Sequence, residues 1–350
     1  MSRSLLISNS RASYYTGGTE VVSMHQATGL AKIGHHITYV VRSADRQSEY
    51  FQDFERTIAK ERLPISVAKV AVRAPYGNGY SWDIWNEEAA AFGAAAQPEY
   101  ERVVKEGVDL LVTHMSADAL HLPENVPQVL HLHGSPKSPD SLIDESMTRP
   151  DSAIAHSTSI RDWWSAHYPN VPMDIFRNGV PVETFLHPPD APRPIDILYV
   201  GRFLEHKGIL DIITAATPDQ NIVLAGSGAQ REEVIDAIKA RGVRAKIIDS
   251  PSNEALVKLY KQAKVFACPS RSKEGVLTTM LEASAAGCAI VTSEGSGMTD
   301  LAVDHQNSRL IQPGDVESLK GIFQELLADP EQRLKLAKTM QQTIRSEWSW

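Results

Sequence analysis

Two carboxylates, Glu274 and Glu282, stand in the stretch 273–287, which reads KEGVLTTMLEASAAG. A Lys-Glu-Gly turn opens it, a helix-compatible run follows, and Gly287 closes it ahead of an apolar strand expected at 289–292. An α-helix turns every ~3.6 residues, so the spacing of the two glutamates corresponds to just over two turns and lets both face one side. The unbonded N–H groups of a helix's first turn can hold an anion beside them. Carboxylates suit sugar hydroxyls and helix-start amides suit phosphate. Together they point to a nucleotide sugar.

A second constellation sits in YVGRFLEHKGI at 199–209, directly after an expected strand. Arg202 and Lys207 share the loop at that strand's carboxyl end. Gly201 permits a tight turn and Gly208 a close approach before the next helix. A guanidinium and an ammonium converging there would neutralise a diphosphate, the first as a fork, the second as a point charge. Taken alone, the two charges also read as an ordinary solvated loop.

Gly17-Gly18 follow a tyrosine-containing loop, SRASYYTGG, and precede a helix. Two glycines in that place can form a backbone nest for phosphate, or a plain turn. LAGSGAQRE at 224–232 imitates part of a dinucleotide fingerprint, but Arg231 stands where the third glycine or alanine belongs, which argues against NAD. In VLHLHGSP, His131 and His133 share a strand face. A metal site would need a third ligand, and none accompanies them in the sequence. His131 reads as a packed core histidine. His133, at the strand end beside Gly134, can reach outward to a sugar hydroxyl or a reacting oxygen. Tyr76, Tyr80, Trp82 and Trp85 crowd a segment, 74–86, that reads as an irregular insert. With Tyr15 they are candidates for stacking on an acceptor, against the simpler reading of local loop packing. No Asp-x-Asp occurs in the chain, so the usual metal-holding pair of metal-dependent sugar transferases is absent. Arg202 and Lys207 would then neutralise the leaving group without a metal.

Strand-like and helix-like segments alternate along the chain, which implies parallel sheets covered by helices. Expected strands in the first half are 4–8, 37–41, 110–113, 128–132, 152–155 and 173–176. The run 187–194, HPPDAPRP, holds four prolines and reads as a linker. A second alternating series follows it, with strands at 195–200, 221–225, 245–248, 265–268 and 289–292. The expected architecture is α/β, with two doubly wound domains, 1–186 and 195–350, facing each other across a cleft. Ligands of such sheets bind at the carboxyl ends of the strands.

Bulk properties narrow the partners. The chain has 350 residues, 35 basic against 43 acidic side chains, a net charge of −8 and 42% hydrophobic residues. That balance is globular, unsuited to nucleic acid and unfavourable for anionic lipid. No apolar run approaches the ~20 residues of a membrane span, and the apolar part of MSRSLLISNS is too short for a signal peptide. Cys268 and Cys288 fall in or beside expected buried strands, which fits a reducing, cytoplasmic setting.

In order, GRFLEHKG, VFACPS, KEG…LEASAAG, Asn178-Gly179-Val180 ahead of Phe185, and QPGDVESL resemble the retaining GT-B glycosyltransferases of glycosyltransferase family 4. The likeness is continuous over 170–350 and looser through TGGTEVVSMHQATGLAKIGHHITYVV and LHLHGSP. It implies two Rossmann-like domains, acceptor on the first and donor on the second. It implies that Arg202 and Lys207 grip the donor diphosphate, Glu274 contacts the transferred sugar and Glu282 the nucleotide ribose. Gly275, Val276 and Leu277 would meet sugar and distal phosphate through their amides. Gly17 and Gly18 would lie near the phosphates, and His133 near the sugar. It implies no metal, no other cofactor and retention of anomeric configuration. This chain has Val276-Leu277 where the family commonly has Phe-Gly, and it reaches Trp350 where relatives usually continue into a last helix. A nucleotide-sugar epimerase or hydrolase on the same site, or a non-catalytic sugar-nucleotide-binding subunit, are the alternative readings.

Overall fold

The computed structural model describes residues 2–73, 82–272, 274–295 and 297–350. The chain forms two compact units, Met1–Arg177 and Asn178–Trp350.

The first unit is built on a parallel sheet of β1 (Ser4–Asn9), β2 (His36–Arg42), β3 (Ile65–Val70), β4 (Leu110–Thr113), β5 (Gln128–Leu132), β6 (Ser152–Ala155) and β7 (Met173–Ile175). Its order is β3-β2-β1-β4-β5-β6-β7. The apolar run Leu5-Leu6-Ile7 is buried on both faces, as a central parallel strand must be. Leu5 and Ile7 pack with Met24, Ala27 and Ala31 of the helix Gly18–Lys32, while Leu6 packs with Phe92, Ala96 and Tyr100 of the helix Trp82–Lys105. That second helix corrects the expected insert. Residues 82–86 begin a regular helix, because the alanine-rich run behind them has high helix propensity. Tyr76 and Tyr80 lie outside the described residues, as does the side chain of Trp82.

The second unit repeats the plan with β8 (Ile195–Val200), β9 (Asn221–Ala225), β10 (Arg244–Ile248), β11 (Ala263–Cys268), β12 (Ala289–Ser293) and β13 (Arg309–Ile311), in the order β10-β9-β8-β11-β12-β13. In each unit the chain winds outward to one edge and then returns to the other side of its first strand. The strand order therefore reverses between β1 and β4, and again between β8 and β11. Loops leaving the carboxyl ends of those pairs splay apart, which opens a crevice for ligand.

The unit boundary falls between Arg177 and Asn178, so the proline-rich run 187–194 lies inside the second unit. It is not a slack connector. Buried Arg193 donates through Nη1 to the carbonyls of Tyr260 (3.2 Å) and Ala263 (2.8 Å), and through Nη2 to those of Pro188 (3.1 Å) and Ala286 (2.6 Å). Tyr260 and Ala263 end one helix and Ala286 caps another, so one cation ties two helix C-termini to the proline-rich run and faces their negative dipole ends. Proline content reported the lack of regular structure correctly but carries no information about packing. Arg193→Ala should lower the stability of the second unit by about 3 kcal/mol in urea unfolding, because buried carbonyls lose their donor. A loss below about 1 kcal/mol would show that the prolines hold the segment unaided. At the other end, Trp348 is buried and the Val180 amide donates to its carbonyl at 2.8 Å. No helix among the described residues is long and apolar enough to cross a membrane.

Candidate functional site

The site residues of the second unit are gathered at its topological switch. Arg202 and Lys207 lie on the loop after β8, and Glu274 lies on the loop after the neighbouring β11. The two loops are bolted together. Gly208 adopts φ +69°, and its α-carbon approaches so close that a side chain there would meet the Pro269 carbonyl at 2.0 Å. The Arg271 amide and the Ser270 hydroxyl both donate to the His206 carbonyl, at 2.7 and 2.9 Å.

This contact brings Lys207 onto Glu274. Lys207 Nζ lies 2.7 Å from Oε1 and 2.8 Å from Oε2, and both side chains are only 14% exposed. Ser272 Oγ donates to Oε1 at 3.4 Å, and His206 Nε2 stands 3.5 Å from the same oxygen. His206 titrates below its ordinary value, chiefly through burial, with Lys207 and Arg202 adding repulsion against the pull of Glu274. Glu274 therefore sits in a loop ahead of the helix Thr278–Ala285, not on it, which corrects the two-turn expectation. Its position is set by Lys207 and by the join between loops, not by helical phase.

Glu282 does lie on that helix. It is half-buried and accepts from the Tyr260 hydroxyl at 2.7 Å. Burial pushes its carboxyl up to about 7, against the opposing effect of the tyrosine donor. Leu277 is the N-cap residue and packs on the core, while Val276 is buried within it. What Val276 offers a ligand is therefore backbone, not side chain. Gly275 is half-buried in the same loop. The Gly226-Ser227-Gly228 segment has a structural role. Gly226, at φ +136°, lies against the Gly201 backbone, and the Phe203 amide donates to the Ser227 carbonyl at 2.9 Å.

In the first unit, Gly17 is the N-cap residue and Gly18 the first residue of the helix Gly18–Lys32. A side chain at Gly17 would meet the Glu20 carboxylate at 2.7 Å and the Tyr15 ring at 2.8 Å. The expected phosphate nest thus already has an acidic neighbour. Tyr15 is half-buried, with the Arg11 guanidinium 4.2 Å over its ring. The same unit holds a buried polar group that the sequence reading missed: Glu88 accepts from Arg42 Nη1 at 3.1 Å and from the Tyr14 hydroxyl, with Arg11 Nε at 3.9 Å.

His133 is not alone either. His114, just past β4, and His156, just past β6, join His131 and His133 in one cluster of rings, with centroids 4.3 to 5.2 Å apart between neighbours. The third partner that the sequence did not reveal is therefore His114. Nitrogens of His114, His131 and His133 lie within 4.8 Å of one another, a donor set that suits zinc or a similar ion. The same rings are linked by hydrogen bonds. His114 Nδ1 is 2.9 Å from His133 Nε2, and His114 Nε2 is 2.8 Å from Gln26 Oε1. Gln26 Nε2 is 2.9 Å from His131 Nε2, His131 Nδ1 is 3.2 Å from His156 Nε2, and His156 Nδ1 is 2.9 Å from the Phe176 carbonyl. Burial drives all four rings toward the neutral form, His156 down to about 4. What the sequence offers is position alone: His114, His133 and His156 each stand just beyond the end of an expected strand and His131 near the end of one, while the sheet order β4-β5-β6 brings them together.

Comparison with known proteins agrees with this arrangement. Residues 16–184 match the family profile "Glycosyltransferase Family 4" and residues 187–343 match "Glycosyl transferases group 1". The glycogen synthase of Mycobacterium tuberculosis is 26% identical over 364 residues, covering 93% of this chain and 86% of that protein. Among solved structures, sucrose-phosphate synthase from Thermosynechococcus elongatus superimposes with a TM-score of 0.80 at 18% identity, covering 99% of this chain and 95% of that one. Anabaena HepE in complex with UDP and glucose gives 0.76 at 17% identity, covering 99% and 96%. The two profiles together span most of the chain, one over each Rossmann-like unit, and the solved structures share both units: the chain belongs to glycosyltransferase family 4 and is a GT-B glycosyltransferase.

Proposed function

We propose that the protein moves a sugar from a nucleoside-diphosphate sugar to a hydroxyl acceptor, with retention of anomeric configuration and without a metal. The observation that carries this reading is the Lys207–Glu274 pair at the switch point of the second unit, with Arg202 on the same loop. One ammonium and one guanidinium suit a diphosphate leaving group, and the adjoining carboxylate suits hydroxyls of the sugar attached to it. Glu282, on the helix that follows, takes the ribose hydroxyls. The bound UDP and glucose of Anabaena HepE support a nucleotide-sugar donor by likeness of fold.

In the proposed reaction the bond between the anomeric carbon and the phosphate oxygen breaks while the acceptor oxygen attacks on the same face. The acceptor proton passes to the departing phosphate oxygen. The negative charge that develops on the diphosphate is met by Lys207 and Arg202, so no protein nucleophile and no Lewis acid is needed. His133 accepts from a hydroxyl of the sugar, and the acceptor is held by the first unit, with Tyr15 among its contacts. The acceptor is a sugar, glycan or other small hydroxyl compound, and the acidic balance of the chain favours a soluble one. Two free buried cysteines fit a cytoplasmic enzyme.

A thermal-shift screen against UDP-, GDP-, ADP- and dTDP-sugars tests the donor class. The matching donor at a hundred times its dissociation constant should add about 2.7 kcal/mol of stability. Silence towards every nucleotide would remove the basis of the reading.

A further inference from the structure

The four-histidine cluster has only one consistent assignment of its protons. The Phe176 carbonyl can only accept, so His156 must carry its proton on Nδ1. A neutral His156 then accepts at Nε2, which makes His131 the donor through Nδ1. His131 Nε2 in turn accepts, and the group facing it is the amide nitrogen of Gln26. The other end of that amide, Oε1, accepts from His114 Nε2. His114 Nδ1 is left to accept, so His133 donates through Nε2. The chain runs in one direction from His133 to a backbone carbonyl. The orientation of the Gln26 amide, oxygen toward His114 and nitrogen toward His131, is the only one that fits it. Three of the histidines are buried, and His133 is the one that is partly exposed. Among the described residues, no group bonds its Nδ1.

We infer that Gln26, His114, His131 and His156 are positioning residues that lock His133 as the Nε2–H tautomer, so that its Nδ1 presents a lone pair to a substrate hydroxyl. The lock is a fact of the first unit alone, and its use on a sugar hydroxyl rests on the function proposed above. A histidine free to exchange tautomers would offer a donor part of the time, and a hydroxyl could then satisfy it without being oriented. With the proton fixed inside, the ring can only accept, which selects a hydroxyl that donates and excludes a carbonyl or phosphate oxygen. A carboxylate does this orienting in many histidine sites. Here neutral rings and one amide do it, without placing a charge in the interior.

Two measurements test this. Ring-nitrogen correlation spectra of protein labelled with 15N-histidine, assigned through single substitutions, read the tautomers at pH 7.5. His114 and His133 should be Nε2–H, His131 and His156 should be Nδ1–H, and none should be an imidazolium. His133 protonated on Nδ1, a charged ring in the chain, or a stoichiometric zinc ion on these nitrogens in the purified protein would overturn the assignment. The second measurement compares His114→Leu with His114→Asn, whose side-chain oxygen takes the place of Nδ1. His114→Leu should release His133 into mixed tautomers and lower kcat for consumption of the donor chosen by the thermal-shift screen about tenfold, the worth of one hydrogen bond, with KM little changed. His114→Asn should keep both the His133 tautomer and the rate. Equal rates in the two variants would deny the cluster its positioning role. If the wild-type protein consumes none of the screened nucleotide sugars, the donor reading is at fault, and the ring spectra still decide the tautomer assignment.

Discussion

Lys207→Met should lower sugar transfer by about a thousandfold, the size expected when a preorganised group facing developing charge is removed. The cation meets the diphosphate as it leaves, so its loss is felt in kcat more than in ground-state binding of the sugar. The substitution also strands Glu274. That carboxylate has Lys207 within 2.8 Å of both oxygens and, among the described residues, keeps Ser272 and a weakly basic His206 as its other side-chain neighbours. An unpaired, mostly buried charge costs stability, here about 2 kcal/mol. The double variant Lys207→Met with Glu274→Gln separates the two effects. It removes the stranded charge, so the melting temperature should recover, while transfer stays lost. Recovery of transfer along with stability would mean that the pair serves the fold and not the reaction.

Glu282→Gln should move stability and donor binding in opposite directions. The Glu282 carboxyl is raised to about 7 in the folded protein, against about 4.5 when exposed. Below about pH 4.5 both states hold the proton and no penalty exists. Between there and about 7 the unfolded chain ionises first, so stability falls as pH rises, and above 7 the loss is complete. The gap corresponds to about 3 kcal/mol. Glutamine keeps an acceptor for the Tyr260 hydroxyl without the charge. The variant should therefore be more stable at pH 8 by up to that amount and equal to wild type at pH 4.5. Urea unfolding at the two pH values reads the difference. Donor affinity should fall by about tenfold or more at pH 8, because ribose hydroxyls donate better to a carboxylate than to an amide. If Glu282→Gln left both quantities unchanged, Glu282 would stand outside the donor site.

Much of this was legible in the sequence because the sheets are parallel and buried on both faces. Apolar runs such as Leu5-Leu6-Ile7 and Val265-Phe266 announce such strands directly, and the expected strands begin and end within two residues of their observed bounds. Short edge strands such as Arg309–Ile311 carry too few residues for any pattern, and Ile65–Val70 is only partly buried, so both passed unread. The proline run misled because a backbone with no regular structure can still be nailed in place by one arginine. In the candidate site, residues close in sequence were found readily. Those brought together by sheet order were not: His114 and His156 belong with His131 and His133 only because β4, β5 and β6 are neighbours. Arg11, Arg42 and Glu88 meet across three segments, and spacing says nothing of them. Of Val276-Leu277, where the family commonly has Phe-Gly, Val276 is buried in the core and half-buried Leu277 packs against it, which sequence alone does not show.

The central claim is that the loops after β8 and β11 form a clamp for the donor's diphosphate. Calorimetric titration with the nucleoside diphosphate chosen by the thermal-shift screen tests it most directly, comparing wild type with the Lys207→Met, Glu274→Gln double variant. The account predicts that the double variant, correctly folded and free of a stranded charge, binds about a hundredfold more weakly, which is about 2.7 kcal/mol. Equal affinities would contradict it, and would send the search for the donor site elsewhere in the chain.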